Sequence, residues 1–394
     1  MDVNPDSFLD AFVQAFAAYA MLEQPEYTCR VSTGPRPNLS DAKKYISPQV
    51  FGYIASNDWQ QQRFQYTFDG VGVQLAVWVA APNTGPSLRL NVVVLIKIFN
   101  YLLFALNRIR NKHTTNVVDV TIVCCDIPKT FPDSSQTVLN QNHINSGYME
   151  RLGLAPDQAR KVVVYRAEEL VKVLLHELIH LYDIDFHAYP FEFDKYFMSA
   201  YKISIKRPWK NSNNPLALYE SYTETLASYG NIIAHTLFTD KRVKRHGVQP
   251  LPWVEIVDGV RERMVREVKF YGTQVDRVMW FARNGGGYIE DSHVFSYFFV
   301  KCALFRRFDD FKDFINDGIA IGTRIDEYLS MVKRVVLLES RMLTDPLKPM
   351  RKKPYKETSR MTNIKWPNLV VRTSLPLRPK SKPKPPASTA SKRT

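Results

Sequence analysis

An α+β fold is predicted for this chain: a small mixed or antiparallel sheet ahead of one histidine-bearing helix, a mainly helical part beyond it, and a disordered basic tail. Three observations predict it. Apolar residues alternate from Arg63 to Val79 on both sides of Asp69-Gly70, a dipeptide suited to a two-residue hairpin turn. From Ala167 to Asp183 the pattern turns helical, with no Gly or Pro to interrupt it. From Leu347 onward, prolines and basic residues replace any apolar period.

The remaining elements follow in chain order. Phe8, Leu9, Phe12, Phe16 and Tyr19 recur at helical spacing, and the acidic residues Asp2, Asp6 and Asp10 exclude a signal-peptide reading. The apolar run Leu90 to Leu106 is long enough to raise a membrane span. Arg89, Asn91, Lys97, Asn100 and Asn107 break it up, so a buried helix is expected and no transmembrane span. Val117–Cys125 and Lys161–Tyr165 read as further strands, the second running straight into the histidine helix. Beyond Ser228, residues 254–270, 308–314 and 325–342 read as helices. The triple glycine after Asn284 reads as a loose connection. With 394 residues and 45% hydrophobic content the chain can bury a sizeable core. Four units are expected: a helical segment 1–60, a core 61–235, a helical part 236–346 and the tail 347–394. Cys29, Cys124, Cys125 and Cys302 form no C-x-x-C pair and read as reduced, packed thiols of an intracellular, non-secreted chain.

The chemistry centres on Val171-Lys-Val-Leu-Leu-His-Glu-Leu-Ile-His-Leu-Tyr-Asp183, which carries His176, Glu177 and His180 as H-E-x-x-H. Residues four apart on a helix lie nearly in line, so two imidazoles on one stripe can share a zinc ion at about 2.0–2.1 Å. Glu177 is then placed for a water on the metal rather than for the metal itself. Two histidines merely packed in a core are the bland alternative. What shifts the balance is Tyr219-Glu-Ser-Tyr-Thr-Glu-Thr-Leu-Ala227, a second helix start after Pro215. Its Glu220 and Glu224 are also four apart. One can complete a three-ligand zinc site while the other orients a histidine, and a metal offsets the cost of two carboxylates on a semi-buried face. A metzincin pattern fits worse, because Asp183 and Phe186 occupy the positions of its Gly and third His. Asp183, Asp185 and His187 could still support a ligand, although a plain acidic loop is the simpler reading.

H-E-x-x-H followed by E-x-x-x-E resembles the gluzincin class of zinc metallopeptidases, and with it a zincin-like fold. That resemblance implies Glu220 as the third ligand, Glu224 as the support of His176, and Tyr297 or His293 as stabiliser of the oxyanion. It also implies that Lys161–Tyr165 is an edge strand on which an extended substrate pairs. Glu220 follows His180 by 220 − 180 = 40 residues, a longer gap than is usual in the class. The run Val162 to His180, with Ile144–Gly147, Glu220–Glu224 and Ser292–Tyr297, is also similar to metallopeptidase-like proteins of large DNA viruses. The likeness covers roughly residues 90 to 305.

The tail from Leu347 to Thr394 holds 14 Lys+Arg against the single acid Glu357, a net +13 of the chain's +14. The body is therefore close to neutral, and nucleic acid or a nuclear-import partner is expected only at the tail. Two functions stand. One is a zinc peptidase acting on a peptide or protein substrate, with Glu177 as general base. The other is a structural or virion-associated protein that keeps the fold and acts by binding. Glu177 favours the first, since a pure binding protein has no need of it.

Overall fold

The computed structural model describes residues 7–34, 36–39, 46–81, 88–110, 117–132, 138–151, 160–186, 188–205, 214–245, 252–284, 288–291, 293–343 and 357–372. The chain is a mixed α+β protein with a six-stranded mixed sheet and a mostly helical C-terminal part. Helix α1 (Ser7–Ala20), strand β1 (Thr28–Thr33) and helix α2 (Pro48–Ser56) lead into the hairpin β2 (Trp59–Phe68) and β3 (Val71–Ala80). Asp69 and Gly70 both have positive φ, 49° and 75°, as the tight turn requires. The segment expected to be helical, 1–60, thus also supplies a strand. β1 pairs antiparallel with β2, leaving Cys29 exposed rather than packed.

Short β4 (Leu88–Leu90) precedes α3 (Val92–Arg110), which is long and apolar enough to cross a membrane. Here it lies inside the fold, with Leu95 through Asn107 buried except for the exposed Lys97. β5 (Val117–Cys124) continues the sheet. β6 (Leu139–Asn140) and α4 (Gln141–Ile144) then lead to β7 (Gly147–Arg151) and β8 (Arg160–Val164). The sheet order is β1-β2-β3-β5-β8-β7, with β3, β5 and β8 parallel and β7 antiparallel to β8. β8 is therefore interior and β7 is the edge strand, which corrects the expectation for 161–165. Lying between β5 and β7 and buried on both faces, with Val162 and Val164 on one side and Val163 on the other, β8 reads as an unbroken apolar run.

Strand alternation splits the sheet's two faces. Val73, Leu75, Val118, Val120, Val162 and Val164 join the main core with α1, α3 and the helices that follow. Trp78, Val123, Val163 and Tyr165 point the other way and pack under α2 with Val50 and Ile54.

After β8 come α5 (Leu170–Leu181), α6 (Phe191–Tyr201), β9 (Ile203–Ile205), α7 (Leu218–Thr239), α8 (Lys241–Arg245) and α9 (Trp253–Asn284). β10 (Tyr288–Asp291) lies parallel between β6 and β9. A π-helical turn, Phe295–Val300, runs into α10 (Lys301–Arg306), followed by α11 (Phe308–Asn316) and α12 (Ile325–Leu343). The triple glycine 285–287, His187 and Ser292 lie outside the described residues.

The largest departure from the sequence reading is at the C-terminal side. Residues 357–372, placed in a disordered tail by composition, pack on the body. Met361 and Leu369 are buried in the main core, Trp366 packs against it, and β11 (Val370–Arg372) pairs antiparallel with β4. Trp366 to Val371 stands out in the sequence as an apolar island, but eight prolines and 14 basic residues over 347–394 outweigh it in composition.

Candidate metal centre

Helix α5 is buried on every side, Leu170 through Leu181. A helix in that position must be apolar all round or must pair each polar side chain it carries. Its apolar residues meet the core. Of its four polar ones, Lys172, His176 and His180 pair with carboxylates, and Glu177 lies beside the two histidines. The helix starts at Glu169, which sits in the left-handed region at φ 62° and gives no side-chain cap. Its carboxylate is engaged elsewhere, ion-paired with the buried Lys129 and accepting from Thr362 N at 2.7 Å. α7 crosses beside α5, and Gly230 makes the approach possible, since a Cβ there would lie 2.7 Å from Leu175 Cδ2.

α5 and α7 together bring three donor atoms to one point. His176 Nε2 and His180 Nε2 are 3.1 Å apart, and Glu220 Oε2 lies 3.2 Å from the first and 3.4 Å from the second. These atoms form a buried group that could hold a metal ion. The other ring nitrogen of each histidine is also met by a carboxylate. Glu224 Oε2 lies 3.2 Å from His176 Nδ1, and Asp185 Oδ2 lies 2.5 Å from His180 Nδ1. A carboxylate at Nδ1 fixes the tautomer that leaves the Nε2 lone pair for a metal, so the donor set fits a cation.

The sequence-predicted residues fall as follows. His176, His180 and Glu220 converge, and Glu224 stands behind His176. Asp183 does not join them: it bonds Arg160 Nη2 at 3.0 Å and is partly exposed. The chain turns at Asp183 with φ 50°, which sends its carboxylate outward and brings Asp185 in behind His180. Asp185 is further held by Thr223 Oγ1 at 3.0 Å. Tyr297, on the π-helical turn, donates to Glu220 Oε2 at 3.1 Å. His293 lies behind it, with ring centroids 6.2 Å apart.

Electrostatics divide the group into charged and neutral members. Burial alone would raise the Glu220 carboxyl, but His180 and His176 hold it well below the usual carboxylate range. Burial would likewise lower the His180 ring, yet Asp185 and Glu220 outweigh it and hold the ring well above 6.5. For Glu177 burial wins, and its carboxyl is raised despite the nearby histidines. Its Oε1 faces the edge strand at Gly147, where an added Cβ would come within 3.1 Å of it. Burial, then the Glu220 charge, holds the Tyr297 hydroxyl well above 10, so it remains a proton donor.

Sequence reasoning passed over Lys172 and Lys301, both at most 2% exposed and both bonded to Glu224. A signal existed for each: a lysine within the otherwise apolar stretch Leu170–Leu175, and another between Val300 and Cys302 in an apolar run. No family model, curated protein or solved structure matches the chain.

Proposed function

We propose that the chain is a zinc-dependent metallopeptidase of gluzincin type with a zincin-like fold. The observation that carries this reading is the division of labour among four buried carboxylates. Glu220 meets both histidines at Nε2, Asp185 bonds the His180 Nδ1, and Glu224 lies 3.2 Å from the His176 Nδ1. Glu177 is the fourth, with a raised pKa and an oxygen turned to the edge strand.

His176, His180 and Glu220 would hold the zinc. A bound zinc ion would supply the Lewis acidity that lowers a water's pKa towards ~7 and polarises a scissile carbonyl. Glu177 takes the proton from the attacking water and passes it to the leaving amine, a role suited to a carboxyl whose pKa is moved towards neutrality. Tyr297 donates its hydroxyl proton in a hydrogen bond to the developing oxyanion. The outer edge of β7 offers backbone groups on which an extended peptide can add as a strand beside Glu177.

The test compares wild type, Glu177→Gln and a zinc-stripped sample on a broad peptide library. Glu177→Gln is nearly isosteric and should keep stoichiometric zinc while turnover drops ~10²- to 10⁴-fold. Cleavage by wild type alone supports the peptidase. The same peptide pattern from all three, with zinc confirmed in the first two, overturns it in favour of a binding protein.

A further inference from the structure

Behind the metal centre lies a buried polar chain that ends on the C-terminal segment. Glu224 takes Lys301 Nζ on Oε1 at 2.9 Å and Lys172 Nζ on Oε2, the same oxygen that lies 3.2 Å from His176 Nδ1. One carboxylate facing two ammonium groups leaves positive charge and N–H donors still to be met in a dry environment, where an unpaired ion is very costly. Met361 meets them. Its backbone oxygen accepts from Lys301 Nζ at 2.7 Å, and its sulfur lies 3.8 Å from Lys172 Nζ. Lys301 Nζ also lies 4.2 Å from the centre of the Tyr271 ring.

Met361 is itself fixed on several sides. Its N–H and that of Thr362 both donate to Glu169 Oε1, at the start of the histidine helix. Thr362 Oγ1 donates to Glu267 Oε2 at 2.7 Å, and Asn363 N reaches both oxygens of the same carboxylate at 3.1 Å. Farther along, Trp366 Nε1 donates to Asn231 Oδ1 at 3.0 Å, two turns beyond Glu224 on α7. The segment therefore grips both helices that carry the proposed ligands. In its middle it supplies the acceptor that keeps two lysines pointed at Glu224.

We propose that residues 357–372 are a clasp in which Met361 is a positioning residue: through Lys301 and Lys172 it orients Glu224, and through Glu224 it sets the His176 ring for metal. This rests on the metal centre being as read above. Without the clasp, Lys301 loses its backbone acceptor and both lysines gain access to water. Glu224 then no longer has one fixed position beneath His176. Outer partners of a metal-bound histidine are typically worth ~10- to 100-fold in metal affinity.

The experiment uses the full chain with Co²⁺ as the probe, reading its visible spectrum and its affinity by chelator competition. Lys301→Met breaks the relay at its centre. Trp366→Ala loosens the clasp at a half-buried point that touches neither Glu224 nor a ligand. Val50→Ala opens a cavity under α2, on the far face of the sheet, as a control for general destabilisation. Lys301→Met and Trp366→Ala should each bind Co²⁺ ~10- to 100-fold more weakly, with an altered visible spectrum, while Val50→Ala matches wild type. Should Lys301→Met fail to fold, Trp366→Ala decides. Wild-type affinity and spectrum in Trp366→Ala would overturn the clasp. Weakening of the same size in Val50→Ala would overturn it too, by assigning the effect to stability. If wild type itself takes up no Co²⁺, the metal centre is overturned and the clasp with it.

Discussion

The α-carbon of Gly147 lies so close to Glu177 that a methyl group built on it would come within 3.1 Å of the Glu177 Oε1 atom. The same methyl would meet Val173 Cγ1 at 2.7 Å and the backbone oxygen of Val163 at 2.9 Å. Edge strand and histidine helix are thus separated by no more than a hydrogen atom at this point. Gly147→Ala should force them apart, at the ~1–3 kcal/mol typical of overpacking. Urea denaturation should show a lower midpoint with an unchanged slope. An unchanged midpoint would mean that the strand yields freely.

Asp185 and Asp183 should behave differently although they are two residues apart. Asp185→Asn removes the carboxylate from His180 Nδ1 and should weaken metal binding ~10- to 100-fold. Asp183→Asn alters the bond to Arg160, away from the three proposed ligands, and should leave metal affinity unchanged. Chelator competition on the two variants decides, and a reversed order would return the support of His180 to Asp183.

Tyr297→Phe keeps the ring and removes the hydroxyl that bonds Glu220. Zinc content should remain at wild-type level, while turnover falls ~10²- to 10³-fold, the usual effect of losing one oxyanion donor. Metal loss accompanying the drop in rate would instead make Tyr297 a support of Glu220.

The metal-free protein should show a two-sided pH dependence. His180 is held above its ordinary 6.5, so its contribution to stability is complete below about pH 6.5 and fades as pH rises through the elevated value. Glu220 is held below its ordinary 4.5, so its contribution is complete above about pH 4.5 and fades as pH falls through the depressed value. Thermal melts of metal-free protein should therefore peak between these limits. Metal must displace the proton on His180, so affinity should climb with pH above the ordinary histidine range. Flat affinity from about pH 6 to 9 would contradict the raised His180.

Stopping the chain after Arg372 retains every described contact of the clasp and removes six basic residues, Arg378 to Arg393, with no acid among them. Melting temperature should be unchanged, and salt-sensitive affinity for nucleic acid should fall. Stopping instead after residue 356 removes buried Met361 and Leu369 and should lower the melting temperature measurably. Equal nucleic-acid affinity in the full chain and the Arg372-terminated one would place any such binding on the body.

Much of this was legible because the signals were local. The hairpin needs only Asp69-Gly70 and its alternating flanks. The geometry of His176, Glu177 and His180 follows from helical spacing alone. Glu220 and Glu224 were legible as a pair of carboxylates four apart. The illegible parts depend on pairings distant in sequence. β7 is five residues long and gains its edge position only by pairing with β8. Asp185 replaces Asp183 because of one left-handed residue in the turn, which no composition reveals. The clasp was masked by its basic, proline-rich surroundings, although Met361, Trp366 and Leu369 were visible in it.

The position of Met361 in the chain also orders events during synthesis. His180 is made 361 − 180 = 181 residues before Met361. At about 5–20 residues per second, both histidines and both glutamates of α7 exist for several seconds to half a minute before their last support is made. A nascent chain at that stage carries every proposed ligand with Lys301 still lacking its backbone acceptor. Folding of this centre is therefore completed from the C-terminal side, and a translation product ending near α12 would hold all the ligands but only a loosened grip on them.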